Sequence, residues 1–292
     1  MAADTVLSTG PVQAADPGET PPRRGRTWPG AVLGLPLVLY AAVLFLVPLA
    51  IVIRASLSDP NVFGISGLTW VNYSNFLTHA YYWQVLLRTL LIAVVSVAAT
   101  ALLAVPYAYG LARRPALRQL QLLALFAPLL VNQVVRIFGL QILINSVNRG
   151  LGGLGLPKLP LTYNIAAVVL GELIFLFPYM AVSVFASLSR LDVTVEEAAA
   201  TLGAPRRAIV WHVILPACRP GIAAGSVLTF ASASGAYLVP QMMGGGKVTT
   251  VPVLIYNDVT QGGTFGSGAA AAVILMLVVI PAMLYSSTRA AR

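Results

Sequence analysis

The chain has 292 residues, 58% of them hydrophobic and only 9% charged, with 18 basic residues against 9 acidic ones and a formal net charge of +9. A soluble domain is about 25% charged, so this composition excludes a water-soluble globule and points to a polytopic membrane protein. The single cysteine, Cys218, excludes a disulfide framework and a cysteine-based zinc site. In a membrane chain the basic excess reports cytoplasmic loops rather than nucleic-acid binding.

Residues 1–27, rich in Pro, Gly, Ala and Thr, read as a disordered cytoplasmic tail. Crossing a bilayer takes about 20 apolar residues. The first such run, 31–53, is too long for a signal-peptide core and no A-x-A site follows it, so it reads as a retained span. Further runs at 85–111, 120–144, 165–188, 221–243 and 269–286 complete six spans within a domain of residues 28–288, followed by a short tail, 289–292. The fifth run is diluted by Ser226, Thr229, Ser232, Ser234 and Gly235, small residues that let helices approach closely. The expected fold class is all-α, with six transmembrane helices.

Lys and Arg near the span ends set the orientation. The tail, the 2–3 loop, the 4–5 loop and the C-terminus carry twelve of them, including Arg113, Arg114, Arg206 and Arg207. Five, namely Arg54, Arg88, Arg149, Lys158 and Lys247, fall on the other side, and Arg136 lies inside span three. Both termini are therefore expected in the cytoplasm. Trp70, Tyr73, Tyr81, Tyr82 and Trp83 cluster before span two, as an interfacial aromatic belt or as a docking surface for an outside partner.

The chain lacks the residues for chemistry of its own. Gly244-Gly245-Gly246-Lys247 is followed by Val248 and has no glycine in the first phosphate-loop position. HExxH and GxSxG are absent, and His79 and His212 stand isolated. No set assembles a nucleophile, base and oxyanion hole. The expectation is a chain without catalytic, cofactor-binding or metal-binding residues.

The most informative segment is the cytoplasmic loop 189–219. Thr194 followed by Glu197 has capping-box spacing, and Glu196 and Glu197 suit the positive end of a helix dipole. Gly203 suits a left-handed helix C-cap, and Pro205 suits the first position of a second helix, which Pro216 is expected to end before Pro220 opens span five. The pattern predicts two short helices at a sharp angle, displaying Ala198, Ala199 and Ala200 to a groove on another protein or lying as a connector on the membrane surface.

Glu197-Ala198-Ala199, three residues, Gly203, nine residues and then Val213-Ile214-Leu215-Pro216 resembles the EAAxxxGx9IxLP motif of bacterial ABC importer permeases, with Val213 in place of Ile. The resemblance runs over about residues 30–288. It is closest to the first-subunit type of spermidine/putrescine permease, through Arg136-Ile-Phe-Gly-Leu140, the stretch Phe177–Asp192 and Ser234–Gly245. It implies a type I importer in which two permease subunits form the pathway. An external solute-binding protein delivers solute, and a cytoplasmic ABC ATPase dimer docks on Glu197, Ala198, Ala199, Gly203, Leu215 and Pro216. ATP is then used by the partner, and this chain carries no cofactor.

Arg136 and Glu172 fall at membrane depth, where a charge needs a partner or a wet cavity. Their positions in oppositely directed spans allow an ion pair, a polar lining of the pathway, or two separate side chains. An ion-coupled secondary transporter would need a substrate and ion site, commonly on broken helices in inverted repeats, and neither a repeat nor many intramembrane acids is evident. A membrane scaffold without transport is the third reading.

Overall fold

In a bilayer every backbone polar group must be satisfied within the chain, and long runs of Leu, Val, Ala and Ile do this as helices. The computed structural model describes residues 30–59, 67–262 and 264–290, with side chains from 36 to 286, and is helical with no strand among those residues. The expected tail 1–27 and residues 291–292 of the expected C-terminal tail lie outside them. The chain forms two units, 1–49, whose described part is the leading stretch of α1 (Gly30–Ser56), and 50–292, which holds the bundle.

In the bundle, α2 (Val71–Thr78) leads through His79 into the long α3 (Ala80–Arg113). The third span is not one helix. α4 (Pro115–Leu130) and α5 (Gln133–Gly153) meet at 105°. Pro128 sits in the last turn of α4, where it leaves the Ala124 carbonyl without its helical N–H donor. Asn132 then caps a new helix, its Oδ1 accepting from the Val134 N–H at 2.8 Å. α6 (Ile165–Leu188) has the expected bounds.

The loop and the fifth span also depart from expectation. After α7 (Val193–Thr201), the chain runs as one continuous helix from Arg206 to Ser234, made of α8 (Arg206–Ile209), a π-helical stretch (Val210–Ile214) and α9 (Leu215–Ser234). Pro216 does not end the second loop helix, and Pro220 lies inside the span. The widened π turn directly before Pro216 accommodates a residue with no N–H to donate. The span ends at Ser234 instead of 243. α10 (Leu238–Gly244) and α11 (Val251–Thr260) follow as short helices before α12 (Phe265–Ala290). By length and apolar content the described helices offer five spans, or six with α4 and α5 as one broken span.

The core is built on α6 and its neighbours. Met180, Ala181, Val184 and Leu188 of α6 pack with Ala104 and Ala108 of α3 and with Ile214 and Cys218. Small residues bring α9 against α6, since a Cβ on Gly221 would come within 2.5 Å of the Ser183 carbonyl and one on Gly225 within 2.6 Å of Met180 Sδ. At the opposite end Phe76, Val85, Val251 and Ala271 join α2, α3, α11 and α12. Leu87, Leu91 and Leu102 of α3 and Leu277 of α12 remain exposed, the outward apolar surface that a bilayer covers. The aromatic cluster takes a defined form on α2 and the start of α3. The Phe76 ring stacks on Tyr82 at 5.1 Å and meets Trp83 edge-on at 6.5 Å.

Candidate coupling site

α7 is capped by Asp192, whose Oδ1 accepts from the Thr194 N–H at 3.0 Å. The expected Thr194–Glu197 capping box is not formed, because Asp192 is the N-cap and Thr194 already lies inside the helix, at its second residue. That hydrogen bond is the main cause that keeps the exposed Asp192 carboxyl below the usual carboxylate range. The helix ends as Gly203 allows. The Gly203 N–H donates to the Ala200 carbonyl at 3.0 Å and the Ala204 N–H to the Ala199 carbonyl at 3.1 Å, with Gly203 at φ +84°. These bonds make a Schellman motif, which requires a left-handed residue at that position. α7 buries none of its residues. Glu197, Ala198 and Ala200 are exposed, Ala199 is half-buried, and Leu202 stands 88% exposed beside them.

One side chain ties this projecting helix to the bundle. Arg113, the last residue of α3, donates from Nη2 and Nε to Glu196 Oε1 at 2.5 and 3.0 Å, and from Nη2 to the Leu191 carbonyl at 3.2 Å. Tyr109 OH donates to Glu196 Oε2 at 3.1 Å. The two charged side chains are only 14% and 12% exposed. Two donors on one carboxylate oxygen, with a third group on the other, form a strong charge-assisted junction. On the far side of Gly203, Leu215 and Pro216 are half-buried, and Ile214 is buried against the core that holds Leu188 and Cys218. The chain thus places the loop residues between two rigid attachments, α3 through Glu196 and the start of the fifth span through Ile214.

Arg136 and Glu172 form no ion pair and no hydrogen bond with each other among the described residues. The Arg136 guanidinium lies over the Phe175 ring, 5.4 Å from its centroid, beside a cavity of about 20 Å³ that Gln133, Gly171 and Val239 also line. Glu172 is 1% exposed, and neither of its oxygens has a hydrogen-bond partner among the described residues. Arg136 emerges beside the α4–α5 break, which redirects it from the path that a straight third span would give it.

A helical bundle with this projecting, Schellman-capped loop helix matches one family along its length. The family model described as binding-protein-dependent transport system inner membrane component matches residues 25–289.

The chain belongs to this family.

It is 34% identical over 182 residues to the spermidine/putrescine transport system permease protein PotB of Escherichia coli K12, and 32% identical over 179 residues to the molybdenum transport system permease protein ModB of Mycobacterium bovis. The alignments cover 60% and 59% of this chain and 66% of each relative, just under two thirds of their length. A bacterial ABC transporter chain involved in the import of the acidic polysaccharide alginate shares the fold, with a TM-score of 0.72 at 17% identity, covering 91% of this chain and 96% of that one. The chain is thus a permease subunit of an ABC importer, a multi-pass inner-membrane protein.

From its local sequence Glu196 of the permease reads only as a partner for the helix dipole. Its actual partner, Arg113, lies 83 residues away. No local spacing links the two, and the only available signal was a basic residue at the cytoplasmic end of a span.

Proposed function

We propose that this permease forms half of the pathway of an importer for a cationic organic solute of the polyamine class, and that α7 carries the movement of a cytoplasmic ATPase dimer into the spans. The observation that carries the coupling reading is the arrangement of α7. It is a short helix with no buried residue, stopped by a left-handed Gly203, showing alanines outward while Glu196 is gripped by Arg113. A connector lying on a membrane surface needs neither a half-buried ion pair nor small residues on its open face. A helix entering a groove on a partner needs both, since small side chains permit close approach and the junction passes force to α3.

In this reading ATP is bound and hydrolysed by the partner, and the permease contributes no catalytic group or cofactor. A second permease completes the pathway, and an external binding protein delivers solute. Alternating access is a repacking of α3, α6 and α9 between two arrangements, driven through α7. Both termini and α7 lie on the cytoplasmic side, by the distribution of Arg and Lys. Likeness to the spermidine/putrescine permease supports the solute class. Glu172 is the one carboxylate within the described spans and supplies no cluster of acids for it.

The test is reconstitution of the permease with its ATPase, second permease and binding protein in liposomes, reading ATP-dependent uptake of labelled spermidine, putrescine and molybdate. Uptake of the polyamines, competed by one another and not by molybdate, is expected. Uptake of molybdate alone would overturn the solute class and leave the coupling reading in place. Uptake without the ATPase would overturn the coupling reading itself.

A further inference from the structure

Four cations sit around the loop 154–164, away from the coupling end. Arg88 and Lys247 line an open cavity of about 420 Å³ on one side, and Arg149 and Lys158 line one of about 600 Å³ on the other. None of the four forms an ion pair among the described residues. The larger cavity is completed by Asn145, Asn148, Gly152 and Thr162. It is a fixed structure rather than a chance gap, because Asn148 clamps the loop to α5. Asn148 Nδ2 donates to the Leu159 carbonyl at 3.1 Å, and its Oδ1 accepts from the Leu159 N–H at 2.7 Å. This clamp brings Lys158 back over the helix end, its Cε 3.9 Å from where a Cβ on Gly152 would stand. The two cations are not used to cap the helix. The Gly150, Leu151 and Gly152 carbonyls already accept from the N–H groups of Leu154, Leu156 and Gly155.

The rest of α5 indicates what the cations face. Gln133 lies with Ile174 and Phe175, and Asn145 lies with Thr162 and Tyr163, so α5 runs back along α6 toward its N-terminal end. At helical spacing one face of α5 reads Val135, Phe138, Ile142, then Asn145, Arg149, Gly152. The three apolar members are 60%, 52% and 64% exposed. From Phe138 to Arg149 the helix rises about 16 Å, close to one leaflet of a hydrocarbon core about 30 Å thick. Apolar side chains along one leaflet, ending in amides and two unpaired cations at the polar boundary, complement acyl chains ending in a phosphodiester. Clustered Lys and Arg beside a membrane surface attract anionic headgroups, each cation adding its own electrostatic increment. We propose that the cavity bounded by Asn145, Arg149 and Lys158 is a binding site for the phosphate headgroup of an anionic phospholipid whose chains lie along Phe138 and Ile142.

The experiment is native mass spectrometry of the full-length permease in detergent, titrated with phosphatidylglycerol or phosphatidylethanolamine. Preferential retention of phosphatidylglycerol is expected. Retention should fall about fivefold in Arg149→Gln or Lys158→Gln and roughly 30-fold in the double variant, and should persist in Arg149→Lys with Lys158→Arg, which keeps both charges. Arg114→Gln, at the other end of the bundle, should change nothing. Glycerol 3-phosphate in millimolar excess should not displace the lipid if the chains contribute. Displacement by it would show a soluble-phosphate site and overturn the lipid assignment. Equal retention of both lipids would overturn the site. So would an unchanged preference in the double variant. Loss of affinity for the external binding protein in that variant, without loss of lipid selection, would assign the cations to protein docking instead.

Discussion

A positive-φ backbone is the sharpest single-residue constraint on the coupling loop. Nothing lies within 4 Å of a Cβ built on Gly203, so a substitution there meets no steric neighbour and is penalised through φ alone, by about 1–2 kcal/mol for an L-residue. Gly203→Val should therefore leave membrane insertion intact and abolish uptake, whereas Gly203→Asn, which tolerates the left-handed region, should retain most of it. Equal uptake by both variants in a transport assay at matched expression would show that the turn is not needed. The cap residue makes a second distinction. Asp192→Ala should lower the stability of α7, and Thr194→Ala much less, because Asp192 makes the bond. Its carboxyl is held low by that bond, so the stabilisation is present above the ordinary aspartate range and is lost as pH falls through the lowered folded value. Acidification should thus loosen α7 more in the parent than in Asp192→Asn, as read by proteolysis at Leu202, the acid loss of the Glu196 junction being common to both. Glu172 presents the opposite case, a buried carboxyl without partners. Burying an unpartnered charge is costly, so Glu172→Gln should keep or raise the melting temperature, while Glu172→Lys should lower it.

At the scale of elements, the Arg113–Glu196 junction is the mechanical link between α3 and α7. Exposed ion pairs contribute at most about 1 kcal/mol, but this pair is largely shielded and shares Tyr109 and the Leu191 carbonyl. A double-mutant cycle of Arg113→Ala and Glu196→Ala on unfolding in detergent should give a coupling energy above about 1 kcal/mol, as contacting members of one network do. Each single variant should also uncouple ATP hydrolysis from uptake. Glu197→Gln should be mild by comparison, since Glu197 is exposed and its side chain makes no hydrogen bond among the described residues. A cycle near zero would reduce the junction to a surface contact. The π stretch before Pro216 belongs to this scale as well. It lets a single helix run from Arg206 into the span, so displacement at Gly203 reaches the core at Ile214 without a hinge between.

For the whole molecule the predictions concern sidedness and assembly. Cys218 is fully buried, so introduced cysteines can be labelled against a low background. A cysteine at 206 should react only from the cytoplasm and one at 158 only from outside. Reaction of both from one side would overturn the orientation. The purified chain alone should not move solute across liposomes, because one bundle is half of the proposed pathway.

Composition and apolar run length determined the membrane class and the bounds of α6, since these depend on local hydrophobicity. The spacing from Glu197 to Pro216 also located the loop, and Gly203 identified its own turn through a backbone requirement that only glycine meets without strain. Tertiary structure decided what distance along the chain conceals. Arg113 reaches Glu196 because α3 and α6 end at the same face of the bundle. Arg136 lies over Phe175 and forms no ion pair with Glu172, one turn away on α6, a placement that depends on side-chain packing and not on position along the chain. The helix of the fifth span begins at Arg206 and not at Gly221, with a π turn before Pro216 and with Pro220 inside the helix, as Pro106 is in α3 and Pro178 in α6. A proline in a membrane helix does not by itself signal a stop, because neighbouring helices and local adjustments re-satisfy the backbone groups it frees.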